Sequence, residues 1–142
     1  MTGSVGGPRW IERRVDLRWR DVDALGHVNH TIYLAYMSEV RDALGVAALG
    51  VHAREQFVLA RIEVDYRAEV ELDDEWVTAR ASLLRIGTTS MRTLEEVVRP
   101  DGVLAARAES VSVLTDRATS RPHPFTAEER AGLEVLLGPG AA

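Results

Sequence analysis

The stretch Arg20-Asp21-Val22-Asp23-Ala24-Leu25-Gly26-His27-Val28-Asn29-His30 joins two segments whose apolar residues recur at different periods. Before this stretch, residues 11–20 largely alternate apolar and polar side chains, which is typical of a half-buried strand. After it, apolar residues from Tyr33 to Ala47 recur at helical spacing, and Asn29 is a residue type that commonly caps a helix N-terminus. The sequence therefore predicts a strand, a polar loop and a long helix, in that order.

Four further strands and a short helix are predicted downstream of the long helix, which ends at Gly45 or Gly50. The clearest alternation runs from Phe57 to Val70 and places Val58, Ala60 and Ile62 on one face. The other predicted elements are strands at Glu75–Ile86, Ser90–Arg99 and Val103–Leu114 and a helix at Ala127–Leu137, capped by Thr126. Turn residues at 87–89 and 100–102 predict hairpins, and so an antiparallel meander.

These elements predict an α+β protein in which one antiparallel sheet wraps one apolar helix. Periodicity alone does not give the order of the strands in the sheet. We expect a single domain over residues 10–137, with flexible segments at residues 1–9 and 138–142.

The composition narrows the classes of function. The net charge of −5 argues against non-specific nucleic-acid binding, which needs a basic surface. All 17 basic residues are Arg, so an anionic ligand such as a phosphate must be held by guanidinium groups. The chain has no Cys, which excludes disulfides, thiolate nucleophiles and Cys-ligated metals.

No segment of the sequence looks like a membrane or export signal. Residues 1–8 are rich in Gly and lack the apolar core of a signal peptide. No apolar run approaches the roughly 20 residues needed to span a bilayer. We therefore expect a cytoplasmic protein without a membrane partner.

The polar loop between the first strand and the long helix carries the groups needed for acyl transfer. A helix N-terminus exposes free N–H groups and partial positive charge, so an oxyanion can be stabilised there. A nearby carboxylate can attack a carbonyl or activate water, and Gly26 lets the backbone approach a substrate closely. The residues alone also fit a purely structural role, in which Asp21 and Asp23 only accept hydrogen bonds from turn amides.

The pattern Asp21-x-Asp23-x-x-Gly26-His27-Val28-Asn29-His30-x-x-Tyr33 resembles a known family motif. It is the motif of the 4-hydroxybenzoyl-CoA thioesterase family of hotdog proteins. That motif reads D-x-D-x-x-G-H-V-N-N-x-x-Y and is followed on the helix by an acidic residue and an Arg. Glu39 and Arg41 match that later pair. Weaker similarity lies in Asp65-Tyr66-Arg67 with Val70 and Asp73, and from Asp101-Gly102 through Asp116 to Arg121-Pro122. The resemblance extends over residues 10–125.

This resemblance implies the hotdog fold, a five-stranded sheet around a central helix, and hydrolysis of an acyl-CoA. It also implies no metal and no cofactor, and a homodimer or homotetramer with active sites at subunit interfaces. Asp23 matches the catalytic carboxylate, acting as nucleophile or general base, and the amide of His30 matches the oxyanion-binding position. The residues that we expect to bind substrate are Gly26, His27, Asn29, Tyr33 and Arg67.

Two positions depart from the family pattern. His30 replaces the second Asn of the motif, which preserves a backbone amide contact but not a side-chain role. Ala68 and Glu69 stand where the family often has Arg-Pro, and an acidic residue there weakens a phosphate contact. A non-catalytic acyl-CoA-binding protein is therefore the alternative function. A hotdog dehydratase is disfavoured, because those enzymes arrange Asp and His differently.

Several other residues have two interpretations. His27 and His30 lie three apart near two Asp, but this spacing is not a strong metal signature, so we predict no metal site. For Glu39 we favour a structural pairing with Arg41, Arg92 or a backbone donor over a catalytic role. The arginines that are candidates for the phosphates of coenzyme A, or simply for a solvated sheet face, are Arg61, Arg67, Arg85 and Arg92. The acyl group, and the choice between coenzyme A and acyl carrier protein, depend on the shape of the pocket.

Overall fold

Residues 9–138 are described by the computed structural model, without the side chains of Arg54 and Glu55. The terminal segments predicted to be flexible, 1–9 and 138–142, lie outside the described residues except for Arg9 and Gly138.

Within residues 9–138, five strands form one antiparallel sheet and two α-helices accompany it, which confirms the predicted α+β class. The strands are β1 (Ile11–Asp16), β2 (Phe57–Tyr66), β3 (Trp76–Ile86), β4 (Ser90–Val98) and β5 (Leu104–Leu114), and the helices are α1 (His30–Leu49) and α2 (Ala127–Glu134). The strand order is β1-β3-β4-β5-β2, so the three hairpin-connected strands lie in the middle and β1 and β2 form the edges. Periodicity could not supply this order, because the edge strands pair with partners distant in the chain.

Two predicted strands end earlier than their alternation suggests. β1 stops at Asp16, and residues Trp19–Asp21 form a 3₁₀ turn instead of continuing to Arg20. β2 stops at Tyr66, and the backbone amides of the next two residues both donate to the carbonyl of Ala105. Both chain segments therefore leave the sheet next to the N-terminal end of α1.

Helix α1 packs against the sheet and supplies much of the core. Its buried residues include Tyr36, Met37, Val40 and Leu44, which are at most 2% exposed. The helix ends at Gly50, whose φ of 89° suits glycine, while the other predicted end, Gly45, lies within the helix. None of the helices within residues 9–138 has the length and apolar composition required to cross a bilayer.

β2 departs from the alternation that its sequence predicts. A bulge between Leu59 and Arg61 leaves Ala60 without a partner on β5. Ile62 and Val64 pack against the core as predicted, but Val58 is 55% exposed. The extra residue shifts the side chains before the bulge onto the other face, which a period of two cannot anticipate.

A buried ion pair lies between α1 and the sheet. Arg41 donates from Nη1 to Glu95 at 3.1 Å, and Glu95 is fully buried. Thr93 and Ser110 donate to the same carboxylate at 2.7 and 2.9 Å, which offsets the cost of removing it from water. Glu39 is exposed and pairs with neither Arg41 nor Arg92, so the pairing with these two residues considered from the sequence is wrong.

Candidate functional site

The loop between β1 and α1 is a small, hydrogen-bonded turn rather than an open coil. Val22 and Val28 form an antiparallel bridge, and the amide of Asp23 donates to the carbonyl of His27 at 3.0 Å. Gly26 closes the turn with a φ of 80°, and its amide donates to the carbonyl of Asp23 at 3.0 Å. The turn favours glycine at this position, because other residues rarely adopt a backbone conformation with positive φ.

Asp21 anchors this loop to the body of the protein. The carboxylate is 1% exposed and accepts hydrogen bonds from the Tyr36 hydroxyl at 2.8 Å and the Arg18 amide at 3.0 Å. Burial and the hydrogen bond to Asp21 raise the pKa of the Tyr36 phenol, so this phenol stays protonated and can donate. The carbonyl of Asp21 accepts from the amide of Asn29 at 2.9 Å, which closes the loop against the start of α1.

The first turn of α1 has one amide that remains available. The side chain of Asn29 accepts a hydrogen bond from the Thr31 amide at 3.0 Å. The backbone carbonyl of Asn29 accepts one from the Ile32 amide at 2.9 Å. No group within residues 9–138 accepts a hydrogen bond from the His30 amide. Asn29 thus acts as the predicted N-cap, and the free donor at the helix N-terminus belongs to His30.

A cavity of about 340 Å³ opens beside this amide. Its lining consists of Asp23, His27, Val28, His30, Tyr33, Tyr66, Arg67, Ala68 and Glu69. Tyr33 and Tyr66 meet edge to face with ring centroids 5.4 Å apart, and the Tyr66 hydroxyl donates to the carbonyl of His30 at 2.9 Å. Burial raises the pKa of the Tyr33 phenol. The cavity therefore joins an apolar aromatic wall to a polar mouth, as ligand sites commonly do.

The Asp23 carboxylate reaches this cavity from the loop. Its Oδ1 accepts from the Leu25 amide at 2.9 Å, and the residue is half-buried. This hydrogen bond holds the side chain in place while no described residue donates to Oδ2. An oriented carboxylate of this kind can act as a nucleophile or as a general base.

His27 meets two carboxylates at the mouth of the cavity. Its Nε2 lies 3.0 Å from Glu69 Oε2 and 3.9 Å from Glu71 Oε1, and a backbone bridge joins His27 to Glu71. One ligand atom from each of these three side chains lies within 4.8 Å of the others, a spacing that a metal ion could occupy. Both glutamates are more than 60% exposed, so a solvated His–Glu ion pair fits the same geometry.

Most of the site residues predicted from the sequence converge on this cavity. Those in its lining are Asp23, His27, His30, Tyr33 and Arg67, whereas Gly26 and Asn29 shape the loop and cap the helix. The prediction omitted Tyr66 and Glu69 as site residues. The predicted alternation assigned each of them to a face of one long strand, but it could not show that the strand ends at Tyr66, beside the first turn of α1.

Two of the four arginines considered for phosphate binding are paired within the sheet. Arg61 forms an ion pair with Glu63, and Arg92 lies 3.7 Å from Glu109. Arg67 is exposed at the cavity and has no acidic partner within residues 9–138. It is the arginine best placed to meet an anion that enters this cavity.

Comparisons with known proteins identify a family and similar solved structures. A family model described as the thioesterase-like superfamily matches residues 17–133. A predicted thioesterase from Bacillus stearothermophilus is 27% identical with a TM-score of 0.82, covering 90% of this chain and 96% of its own. A thioesterase from Thermus thermophilus, solved with coenzyme A and Zn, is 31% identical with a TM-score of 0.79, covering 96% and 97%.

More distant structures support the fold alone. The protein SAV2348 from Staphylococcus aureus, solved with CoA, is 15% identical with a TM-score of 0.80, covering 91% of this chain and 84% of its own. None of the curated proteins compared with the chain matches it. The hotdog fold predicted from the sequence is confirmed, and the extent of the family match shows that the chain belongs to the thioesterase-like superfamily.

Proposed function

We propose that the protein is an acyl-CoA thioesterase that hydrolyses its substrate to a free acid and coenzyme A. The observation that carries this proposal is the cavity whose lining includes both Asp23 and His30, the first residue of α1. The resemblance of residues 21–33 to the 4-hydroxybenzoyl-CoA thioesterase motif narrows the proposal within the superfamily.

In the proposed reaction, the thioester carbonyl lies in the cavity with its carbon facing Asp23. As a nucleophile, the carboxylate forms an anhydride with the acyl group and expels the CoA thiolate, and water then hydrolyses the anhydride. As a general base, the carboxylate takes a proton from the attacking water instead. Both routes use the Oδ2 atom, since Oδ1 is held by the Leu25 amide.

The amide of His30 is the proposed donor to the developing oxyanion. Its N–H lies at the positive end of the α1 dipole, where negative charge is stabilised. The capping hydrogen bonds of Asn29 occupy the next two amides, which supports His30 over Thr31 or Ile32. This assignment needs no contribution from the His30 side chain, so the change from Asn in the family motif is tolerated.

Coenzyme A is the proposed carrier of the acyl group. The relative from Thermus thermophilus was solved with this ligand at 31% identity. Arg67 is the proposed phosphate contact, and Tyr33 with Tyr66 would contact the acyl group. Acyl carrier protein is the alternative carrier, because its phosphopantetheine arm presents the same thioester.

The second candidate is a non-catalytic acyl-CoA-binding protein, because His30 and Glu69 depart from the motif of the catalytic family. Glu69 places a negative charge at the mouth of the cavity, where the family often has Arg-Pro. This charge opposes the phosphates of coenzyme A unless His27, 3.0 Å away, is protonated. A panel of acyl-CoAs of different length and aromatic character separates the candidates. Release of free thiol from any member supports the enzyme, whereas measurable binding without thiol release supports the binding protein.

A further inference from the structure

We propose that Tyr36 is a positioning residue, whose hydroxyl acts through Asp21 to hold the loop that carries Asp23. This inference rests on the proposed function, because it assigns Tyr36 a part in the rate of the same site. Tyr36 is 2% exposed and does not line the cavity, so it would influence the reaction without touching the substrate.

The contact between Tyr36 and Asp21 is a buried hydrogen bond to a charged group. The hydroxyl donates to Asp21 Oδ2 at 2.8 Å, and it is the only side-chain hydrogen bond that this carboxylate receives within residues 9–138. Arg18 Nε lies 3.3 Å from Oδ1 but in a direction that does not form a hydrogen bond. Because a buried carboxylate needs donors, loss of the hydroxyl would leave Asp21 poorly satisfied.

Asp21 in turn controls both ends of the loop. Its amide donates to the Arg18 carbonyl at 2.8 Å, and its carbonyl accepts from the Asn29 amide at 2.9 Å. Asp23 follows two residues later and is held by its own backbone hydrogen bond to His27. A displacement of Asp21 would therefore move the loop, and with it the Asp23 carboxylate.

Tyr36 lies on the same helix as the proposed oxyanion donor. It follows His30 by six residues, less than two turns of α1. The hydroxyl therefore ties the loop with Asp23 to the element that carries the His30 amide. The two proposed reacting groups are in this way held at a set separation, and an error of ~1 Å in such geometry can cost about 100-fold in rate.

The test replaces Tyr36 with Phe, which keeps the ring in the core and removes only the hydroxyl. We expect kcat for acyl-CoA hydrolysis to fall between about 10- and 100-fold. We expect KM to stay within about twofold, because Tyr36 makes no contact with the cavity. Assays are run well below the melting temperature of each variant, so that all enzyme is folded.

Thr93→Val is the matched control for loss of stability. Thr93 also donates from a buried hydroxyl to a buried carboxylate, at 2.7 Å to Glu95, which pairs with Arg41 further along α1. This variant should lower the melting temperature and leave kcat unchanged. An equal loss of kcat in Thr93→Val and Tyr36→Phe would overturn the positioning role, and so would a wild-type kcat in Tyr36→Phe.

A double variant separates positioning from general damage. If Tyr36 acts by placing the Asp23 carboxylate, then Tyr36→Phe should have no further effect on the residual activity of Asp23→Asn. A further loss of the same size in that background would overturn the inference. Asp23→Asn and the wild-type protein distinguish the two proposals. No thiol release by the wild-type protein from any acyl-CoA overturns the proposed function, and full activity of Asp23→Asn overturns the role proposed for Asp23 together with this inference. Loss of activity there, with normal kcat in Tyr36→Phe, overturns only the role of Tyr36.

Discussion

Replacement of Asp23 by Asn is the most direct test of the proposed chemistry. The substitution keeps the size of the side chain and removes its negative charge. An Asn carbonyl oxygen can still accept from the Leu25 amide, which Asp23 Oδ1 accepts at 2.9 Å. The loop should therefore survive, and the free energy of unfolding should change by no more than about 1 kcal/mol.

The effect on rate should be much larger than the effect on stability. An amide cannot accept a proton from water or form an anhydride, so kcat should fall by the roughly 10² to 10⁴ typical of losing a general base. At about 1.36 kcal/mol per tenfold change, this is about 2.7 to 5.4 kcal/mol of activation free energy. KM should change little, because the lost interaction belongs mainly to the transition state.

The assay is free-thiol release from the best acyl-CoA of the panel, with a thermal melt of each variant. Asp116→Asn is the matched control, because Asp116 also accepts from the amide two residues on, at 2.8 Å from Ala118. The amides of Thr119 and Ala118 lower the pKa of the Asp116 carboxyl, so Asp116 is charged at neutral pH. Asp116 lies outside the cavity, and its variant should hydrolyse at the wild-type rate.

Asp21→Asn gives the complementary result. Its amide oxygen can still accept from Tyr36, but the charge opposite Arg18 is lost, so we expect reduced stability with a smaller change in rate.

If Asp23→Asn folds normally and hydrolyses acyl-CoA at a near wild-type rate, the mechanism proposed for Asp23 is wrong.

Three further outcomes test the carrier, the role of metal and the assembly. Arg67→Ala should raise KM for acyl-CoA, whereas the control Arg61→Ala should not, and rising salt should weaken binding to the wild-type protein. An unchanged KM in Arg67→Ala would remove Arg67 from the site. Treatment with EDTA should leave thiol release unchanged, because the proposed mechanism uses only Asp23 and the His30 amide. Activity lost to EDTA and restored by Zn²⁺ would assign a role to the group at His27. Light scattering should show a dimer or tetramer, because β2 is an edge strand on which Val58 and Leu59 are exposed. A folded monomer of 15.7 kDa at micromolar concentration would contradict this prediction.

The sequence by itself predicted the elements and the part of the chain that holds the candidate site. The change from a period of two to helical spacing at residues 20–30 is local, because it depends only on which neighbours along the chain share a face. The cap at Asn29 and the turn at Gly26 are likewise short-range features, set by backbone geometry over a few residues. The motif comparison then predicted different roles for Asp23 and Asp21.

Only the tertiary structure decided which polar groups are buried and which residues meet across the cavity. Glu95 and Glu96 are adjacent in β4, yet the sheet turns Glu95 towards Arg41 and Glu96 towards Arg80. The buried carboxylate of Asp21 accepts a hydrogen bond from Tyr36, which is fifteen residues away in the chain. The Tyr66 hydroxyl donates to the carbonyl of His30, which is thirty-six residues away. Such contacts depend on strand order, on the bulge in β2 and on where α1 crosses the sheet. Local periodicity cannot predict these contacts, because each one arises from packing between segments that are distant in the chain.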